Sequence, residues 1–395
     1  MPKKKKNHSK KSNSNNKSNN QQLKKEDNII LHKKIKRSRD KLNEKQLDIK
    51  VNSNPTNLKY IKHLVEDSYC DYNYDSFCVF KSINEILYLI YAKKNRSIIS
   101  FDLNENKIIM EIKKAHKKYI KSFRHYLDKI NKRDLLLSMT GSSYNIKLWN
   151  INNYECLANI KKVNRISLKS ACFLNDNNNI FIITNNSSCC DCNKMEPIKV
   201  FNLNGNKVKE INDIKEETFY IDIYYDNQSC KNYIITANKG YSISYDYNEN
   251  KIYHKYCNND NEKFSNNIII NHHCIAISNS KEIVKLIESN SIDDNFIRIW
   301  NFHSGNLLNK IQIAEFPNCM QLWNNHFLLI GCYAQTIIIL DLNDEKIVKS
   351  LKVECGPQDI KKFIHPIFGE CLLSQCEDKG PISLFIIKKI NYEII

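Results

Sequence analysis

The chain has 395 residues, with 60 Lys plus Arg against 43 Asp plus Glu, for a net charge of +17. Its first 28 residues are polar, which excludes an apolar secretory leader at that position, and no apolar run approaches the roughly 20 residues needed to span a bilayer. The expectation is a soluble intracellular protein, in nucleus or cytoplasm with the nucleus favoured, whose 15 scattered cysteines are reduced thiols.

Residues 1–57 differ in kind from the rest. They are rich in Lys, Asn and Ser and poor in aromatics, the composition of a segment too polar to bury a core, so a disordered basic tail is expected. The first 50 residues alone carry +12 of the +17. Two clusters stand out, Lys3, Lys4, Lys5 and Lys6, and then Lys33, Lys34, Lys36, Arg37 and Arg39 within KKIKRSR. Such runs read as an importin-recognised signal or a phosphate contact to RNA or DNA. They read equally as a solvated product of compositional bias. The tail has no aromatics positioned to stack on bases, so a nucleic-acid contact there is electrostatic. A short helix over 23–47 is compatible with the spacing but shows no sustained heptad.

From residue 58 onward the chain is periodic. A seven-letter unit recurs: DLNENKI from Asp102, NINNYEC from Asn150, NLNGNKV from Asn202, DYNENKI from Asp246, NFHSGNL from Asn301 and DLNDEKI from Asp341. The starts are 48, 52, 44, 55 and 40 residues apart, a spacing that marks a repeat architecture. Each unit follows a β-branched or aromatic run, such as SIISF, IKLW, IKVF or IIIL, and precedes another, such as KIIMEI or KIVKSL. Strand, polar turn, strand predicts six hairpins. With only 8 Gly in the chain, Asn and Asp, which tolerate positive φ, are expected to serve in the turns.

Two further strands are predicted upstream of each hairpin, for example YIKSF and DLLLSM in one unit, and QLW and HFLLIGC in another. Four strands per 40–50 residues is the period of a propeller blade. Runs near 359–365, 370–376 and 382–388 supply three strands of a seventh. Its fourth is expected from 60–65, which would join the two ends of the ring; INYEII at 390–395 is the alternative. No segment has the 3.6-residue period of a long helix.

The stretches LLLSMTGSSYNIKLWN, ending at Asn150, and SNSIDDNFIRIWN, ending at Asn301, resemble the signature of the WD-repeat family. That resemblance implies an all-β, seven-bladed propeller over 58–395 behind the basic tail of 1–57. It also implies a scaffold for multi-protein complexes. The Trp-Asp pair itself is replaced by Trp-Asn at Trp149 and Trp300. Family blades often lock their strands with a buried network of Trp, Ser or Thr, His and Asp. By position, Asp294 stands where the network Asp belongs before Trp300, Ser143 stands in its place before Trp149, and His116 lies near the family's Gly-His pair. Most blades are therefore expected to depend on apolar packing.

Motifs that carry chemistry are few. The chain has no phosphate-cradling glycine loop, no H-E-x-x-H and no G-x-S-x-G. One Cys-x-x-Cys, Cys189 with Cys192, lacks the second pair a thiolate zinc site needs and reads as a thiol-bearing loop. His272, His273 and Cys274 are adjacent in sequence, which is not the spatial arrangement of a Cys-His couple. Receptors of cullin-type ubiquitin ligases often carry Arg two residues after Trp-Asp, where this chain has Asn152 and His303. Phosphoinositide-binding propellers carry Phe-Arg-Arg-Gly, where the nearest string is FRHY at 123–126. The expectation is a non-enzymatic platform without metal, cofactor, small-molecule substrate or membrane. It binds proteins through the loops on its faces; the alternative is a nuclear or nucleolar ribonucleoprotein assembly factor whose tail contacts RNA.

Overall fold

A computed structural model describes residues 54–70, 75–141, 144–164, 168–188, 195–238, 241–257, 273–279, 284–290, 295–376 and 380–387. All lie in one folded unit, Asn52–Ile395. The tail clusters at 3–6 and 33–39 and the helix expected over 23–47 fall outside these residues, as do Cys189, Cys192, His272 and Asp294.

The described residues form seven four-stranded antiparallel sheets and one two-stranded ladder. The sheets are the seven blades of a β-propeller ring. Blade 1 spans 77–112, blade 2 120–160, blade 3 171–211, blade 4 218–256, blade 5 273–312, and blade 6 317–352. In blade 7 the strands Pro357–His365, Gly369–Cys376 and Ile382–Ile387 come from the C-terminal end, and Leu58–Val65 from the N-terminal side pairs with Ile382–Ile387 as the outermost strand. Leu58 stands opposite Ile387 and Val65 opposite Ile382. This closure covers an edge that would otherwise present unpaired N–H and C=O groups. A single 3₁₀ turn, Pro55–Asn57, leads into it, capped by the Asn54 side chain.

In most blades the second strand is buried on both its faces. In Leu87–Ala92 of blade 1, Leu87, Leu89 and Tyr91 pack against blade 7, while Tyr88, Ile90 and Ala92 pack toward blade 2. Alternation along a strand thus sends successive residues to opposite neighbours. Seven separate clusters of buried apolar residues result, one at each blade–blade seam.

All six repeated units are the turns between the third and fourth strands of their blades. The lead Asp or Asn acts through its side chain. Asp102 Oδ1 accepts from the backbone N–H of Asn104 at 2.8 Å and Glu105 at 3.1 Å, and Asp246 Oδ1 from Asn248 at 3.0 Å and Glu249 at 2.8 Å. Asn150, Asn202, Asn301 and Asp341 do the same with the residue two positions on. Positive φ falls later in each turn, at Asn106, Tyr154, Gly205, Asn250, Gly305 and Glu345. The expectation that Asn replaces Gly therefore holds at two of these positions; the commoner role of Asx is to cap the turn. The second letter of five units is a core residue: Leu103, Ile151, Tyr247, Phe302 and Leu342 are buried, each donating its backbone N–H to a carbonyl at or just before the second strand of its blade.

Two expectations shift. The innermost strand of blade 6 is Pro317–Leu322, several residues earlier than QLW, because Pro317, Asn318 and Cys319 are the buried ones. Reduced thiols are not universal either. Cys355, before the innermost strand of blade 7, is joined to Cys376, at the end of its second strand, across a Cα separation of 5.8 Å. Cys376 is the register partner of Pro357, so the pairing of the two strands carries both thiols into disulfide range.

Candidate functional site

The edge of the ring from which the innermost strands start is termed the upper face. It carries the loops joining blade to blade and the loops between second and third strands. The repeated turns lie on the lower face.

His116 and Trp149 meet at one serine in blade 2. Trp149 Nε1 donates to Ser138 Oγ at 2.8 Å, and His116 Nε2 lies 2.7 Å from the same oxygen. All three are buried. Burial, with Lys147 adding to the effect, pushes the His116 imidazole down to about 3, so it is neutral at pH 7. Lys147 lies over the Trp149 ring at 5.3 Å and donates to the Ala115 carbonyl at 2.7 Å. Trp300 finds a different partner: its Nε1 donates to Glu288 Oε1 at 3.0 Å, and Ser242 of blade 4 bonds the other oxygen of that carboxylate. Ser138 and Glu288 both face the residue two before the tryptophan, Lys147 and Arg298. The two blades thus satisfy a buried indole N–H at the same register position with different chemistry.

The strongest electrostatic feature lies on the innermost strands around the central channel. Arg124, Asp222 and Lys361 each occupy the fifth position of the innermost strand of blades 2, 4 and 7, Ile120–Asp128, Thr218–Asp226 and Pro357–His365. Asp75, just ahead of the first strand of blade 1, accepts from both cations, at 2.7 Å from Arg124 Nη2 and 2.6 Å from Lys361 Nζ. Lys361 also bonds Asp359 at 3.1 Å, and Arg124 Nη1 lies 4.0 Å from Asp222. The guanidinium stands over the Tyr220 ring at 5.1 Å. Ser76 bonds Gln375, whose amide donates to Ser68 Oγ at 2.8 Å, and Ser68 donates to the Gly380 carbonyl at 2.7 Å. Blades 7, 1, 2 and 4 are cross-braced by these contacts.

Burial alone would raise the Asp75 carboxyl, but Arg124 and Lys361 together hold it below its usual range. Asp359 goes the other way: burial pushes it up to about 6 against the pull of Lys361, with Asp75 adding to the rise. Nearby Cys78 and Cys172 are buried, and burial pushes their thiols far above the usual value. They are thiols, not thiolates, at pH 7, and so poor nucleophiles. Among the described residues no cluster of His, Cys, Asp or Glu could hold a metal ion, and no helix is long and apolar enough to cross a membrane.

Sequence reasoning missed this network. The signal available was a charged residue inside an otherwise strand-like run, as in IKSFRHY and PQDIKKF; the partner Asp75, some 50 to 290 residues away from Arg124 and Lys361, carries none. No protein-family model matches the chain, and no curated protein matches it significantly. The class the fold defines is the seven-bladed β-propeller.

Proposed function

We propose that this propeller is a non-catalytic scaffold of WD-repeat type that docks a protein partner on its upper face. Propellers commonly serve as platforms for protein interaction. The WD-repeat reading rests on Trp149 and Trp300 before Asn, and on the His116–Ser138–Trp149 contacts. The observation that carries the docking reading is a pair of aromatics on blade 6. Phe316 is 45 % and Tyr333 59 % exposed, and their loops are tied by a 2.9 Å bond from Tyr333 N–H to the Phe316 carbonyl. Large aromatics held on rigid loops make anchors for partners at low entropic cost. Glu315 and Glu354 flank them in sequence or on the next loop, so the expected partner presents apolar side chains with basic neighbours.

Affinity capture of the tagged full chain, compared with Phe316→Ser/Tyr333→Ser, tests this. Reproducible partners should fall away with the double variant. Recovery of the same partners by both forms removes the reading of the site, and recovery of none by either removes the scaffold. The tail's charge supports nuclear import as the localising role of Lys3, Lys4, Lys5 and Lys6 with Lys33, Lys34, Lys36, Arg37 and Arg39. Imaging with and without residues 1–50 checks it, and an unchanged cytoplasmic distribution of both forms ends that idea.

A further inference from the structure

Basic charge on the propeller is concentrated in one sector. The segments 93–96 (KKNR) and 113–121 (KKAHKKYIK) contain Lys and Arg but no Asp or Glu, and Lys161, Lys162 and Lys169 continue the series. These residues belong to upper-face loops of blades 1, 2 and 3, and the loops are bonded side by side. Arg96 Nη1 donates to the Lys117 carbonyl at 3.0 Å. The Lys121 chain occupies the space that a Cβ on Gly141 would need. Val163 N–H donates to the Tyr144 carbonyl at 2.9 Å. The basic segments thus stand on adjoining loops of one face.

The lower face shows more pairing, although Lys129 and Lys132 are exposed there. There Arg133 pairs with Asp128 at 2.8 Å, Lys231 with Asp246 at 3.0 Å and Lys285 with Glu345 at 3.3 Å. On the upper sector Asp67 takes Lys93, Glu217 takes Lys169, and Glu111 lies near Lys113. Among the described residues, Lys114, Lys117, Lys118, Lys161 and Lys162 are exposed and make no ion pair. Holding so many like charges together costs stability through mutual repulsion unless a polyanion neutralises them.

In the midst of these lysines stands Tyr119, 43 % exposed. Its ring is backed by Tyr69 at 4.9 Å with a 34° tilt. Among the described residues of these loops, no large aliphatic side chain is exposed for insertion into lipid. Lysine is a compact charge that pairs with phosphate without a fixed orientation. A cationic track with an aromatic platform is the combination that holds single strands: charge follows the backbone and a base stacks on the ring.

We propose that the upper face of blades 1–3 is a docking surface for single-stranded nucleic acid, with backbone phosphates over the 113–118 and 161–162 loops and a base on Tyr119. This surface is separate from the aromatic pair on blade 6 and from the basic tail.

Fluorescence anisotropy of a labelled oligouridine of about 16 nucleotides against the full chain, over a series of salt concentrations, tests it. To reduce the tail's contribution, every form is also measured with Lys3, Lys4, Lys5, Lys6, Lys33, Lys34, Lys36, Arg37 and Arg39 changed to Gln. Lys113→Gln/Lys114→Gln/Lys117→Gln/Lys118→Gln should reduce the slope of log affinity against log salt by about 3, at about 0.7 per phosphate contact. Tyr119→Ala should weaken binding at least about fivefold with the slope unchanged. Thermal unfolding confirms that both variants are folded. Parent-like affinity and slope in the quadruple variant overturn the proposal. So does an unaffected Tyr119→Ala whose binding polyglutamate displaces as well as oligouridine does, which assigns the surface to an acidic protein. Lysine-dependent sedimentation with phosphatidylserine vesicles, without oligouridine binding, assigns it to a membrane and overturns it equally.

Discussion

Asp75 is the keystone of the channel network, and its replacement by Asn is the sharpest test of that network. The change preserves size but removes the only carboxylate among the described residues that pairs with both Arg124 and Lys361. At 2.7 Å and an effective dielectric of about 20, each contact represents about 6 kcal/mol of gross attraction, most of it offset by desolvation. Taking one partner from a buried ion pair costs about 3–5 kcal/mol, because the remaining charge stays buried without compensation. For a unit of this size the unfolding entropy corresponds to a fall in Tm of about 4–7 °C. Differential scanning calorimetry of wild type and Asp75→Asn measures it. Asp75→Asn/Arg124→Met should recover most of the loss. It removes one charge of each sign and leaves Lys361 with Asp359, 3.1 Å away. Being buried, the effect should persist at high salt. A single variant that melts within 1 °C of wild type, or a double variant no better than the single, would refute the account.

Three other expectations are open to measurement. Trp149→Ala and Trp300→Ala should each cost about 3–5 kcal/mol, since both indoles are buried; wild-type melting of either contradicts the seam assigned to it. Stability should respond to pH through two groups of opposite sign. His116 sits near 3 in the fold against its ordinary 6.5, so its contribution is complete above pH 6.5 and is lost on acidification toward 3. Asp359 sits near 6 against 3.8, so its contribution is present below about pH 4 and is lost as pH rises through 6. Melting curves between pH 4 and 6.5 should therefore fall less steeply with acid in His116→Asn and more steeply in Asp359→Asn than in wild type. Removing residues 1–65 strips blade 7 of its outermost strand and should yield self-association on size-exclusion chromatography; a monomer that melts normally would show the closure to be dispensable.

The blades were legible because their cause is local. A capped turn needs Asp or Asn at one position, and the strands beside it need apolar residues, so each unit writes its own hairpin. The closing strand was legible for a related reason: a seventh sheet lacking a fourth strand needs one, and Leu58–Val65 has the pattern. The lock around Ser138 was visible only in part. Trp149 and His116 could be placed from a resemblance, but the serine between them looks like any other in a strand. Glu288 beneath Trp300 had no signal, since a carboxylate in a strand-like run reads as exposed until the ring places Ser242 against it. Asp75, Arg124 and Lys361 were missed because ring geometry, not sequence distance, brings them together. The disulfide partners were missed for a different reason: register between two neighbouring strands of one blade brings Cys376 to Cys355.

Ring closure also has a consequence in time. Of the described strands, the outermost one of blade 7 is synthesised first, yet its partner, Ile382–Ile387, is made last. Translating from residue 65 to residue 382 takes roughly 15–60 s at about 5–20 residues per second. During that interval blades 1 to 6 can fold in order on the ribosome, while Leu58, Leu64 and Val65 have no sheet to join. The nascent chain thus carries a waiting β-strand ahead of its first blade, a target for chaperones and for the wrong neighbour, until the seventh blade arrives to receive it.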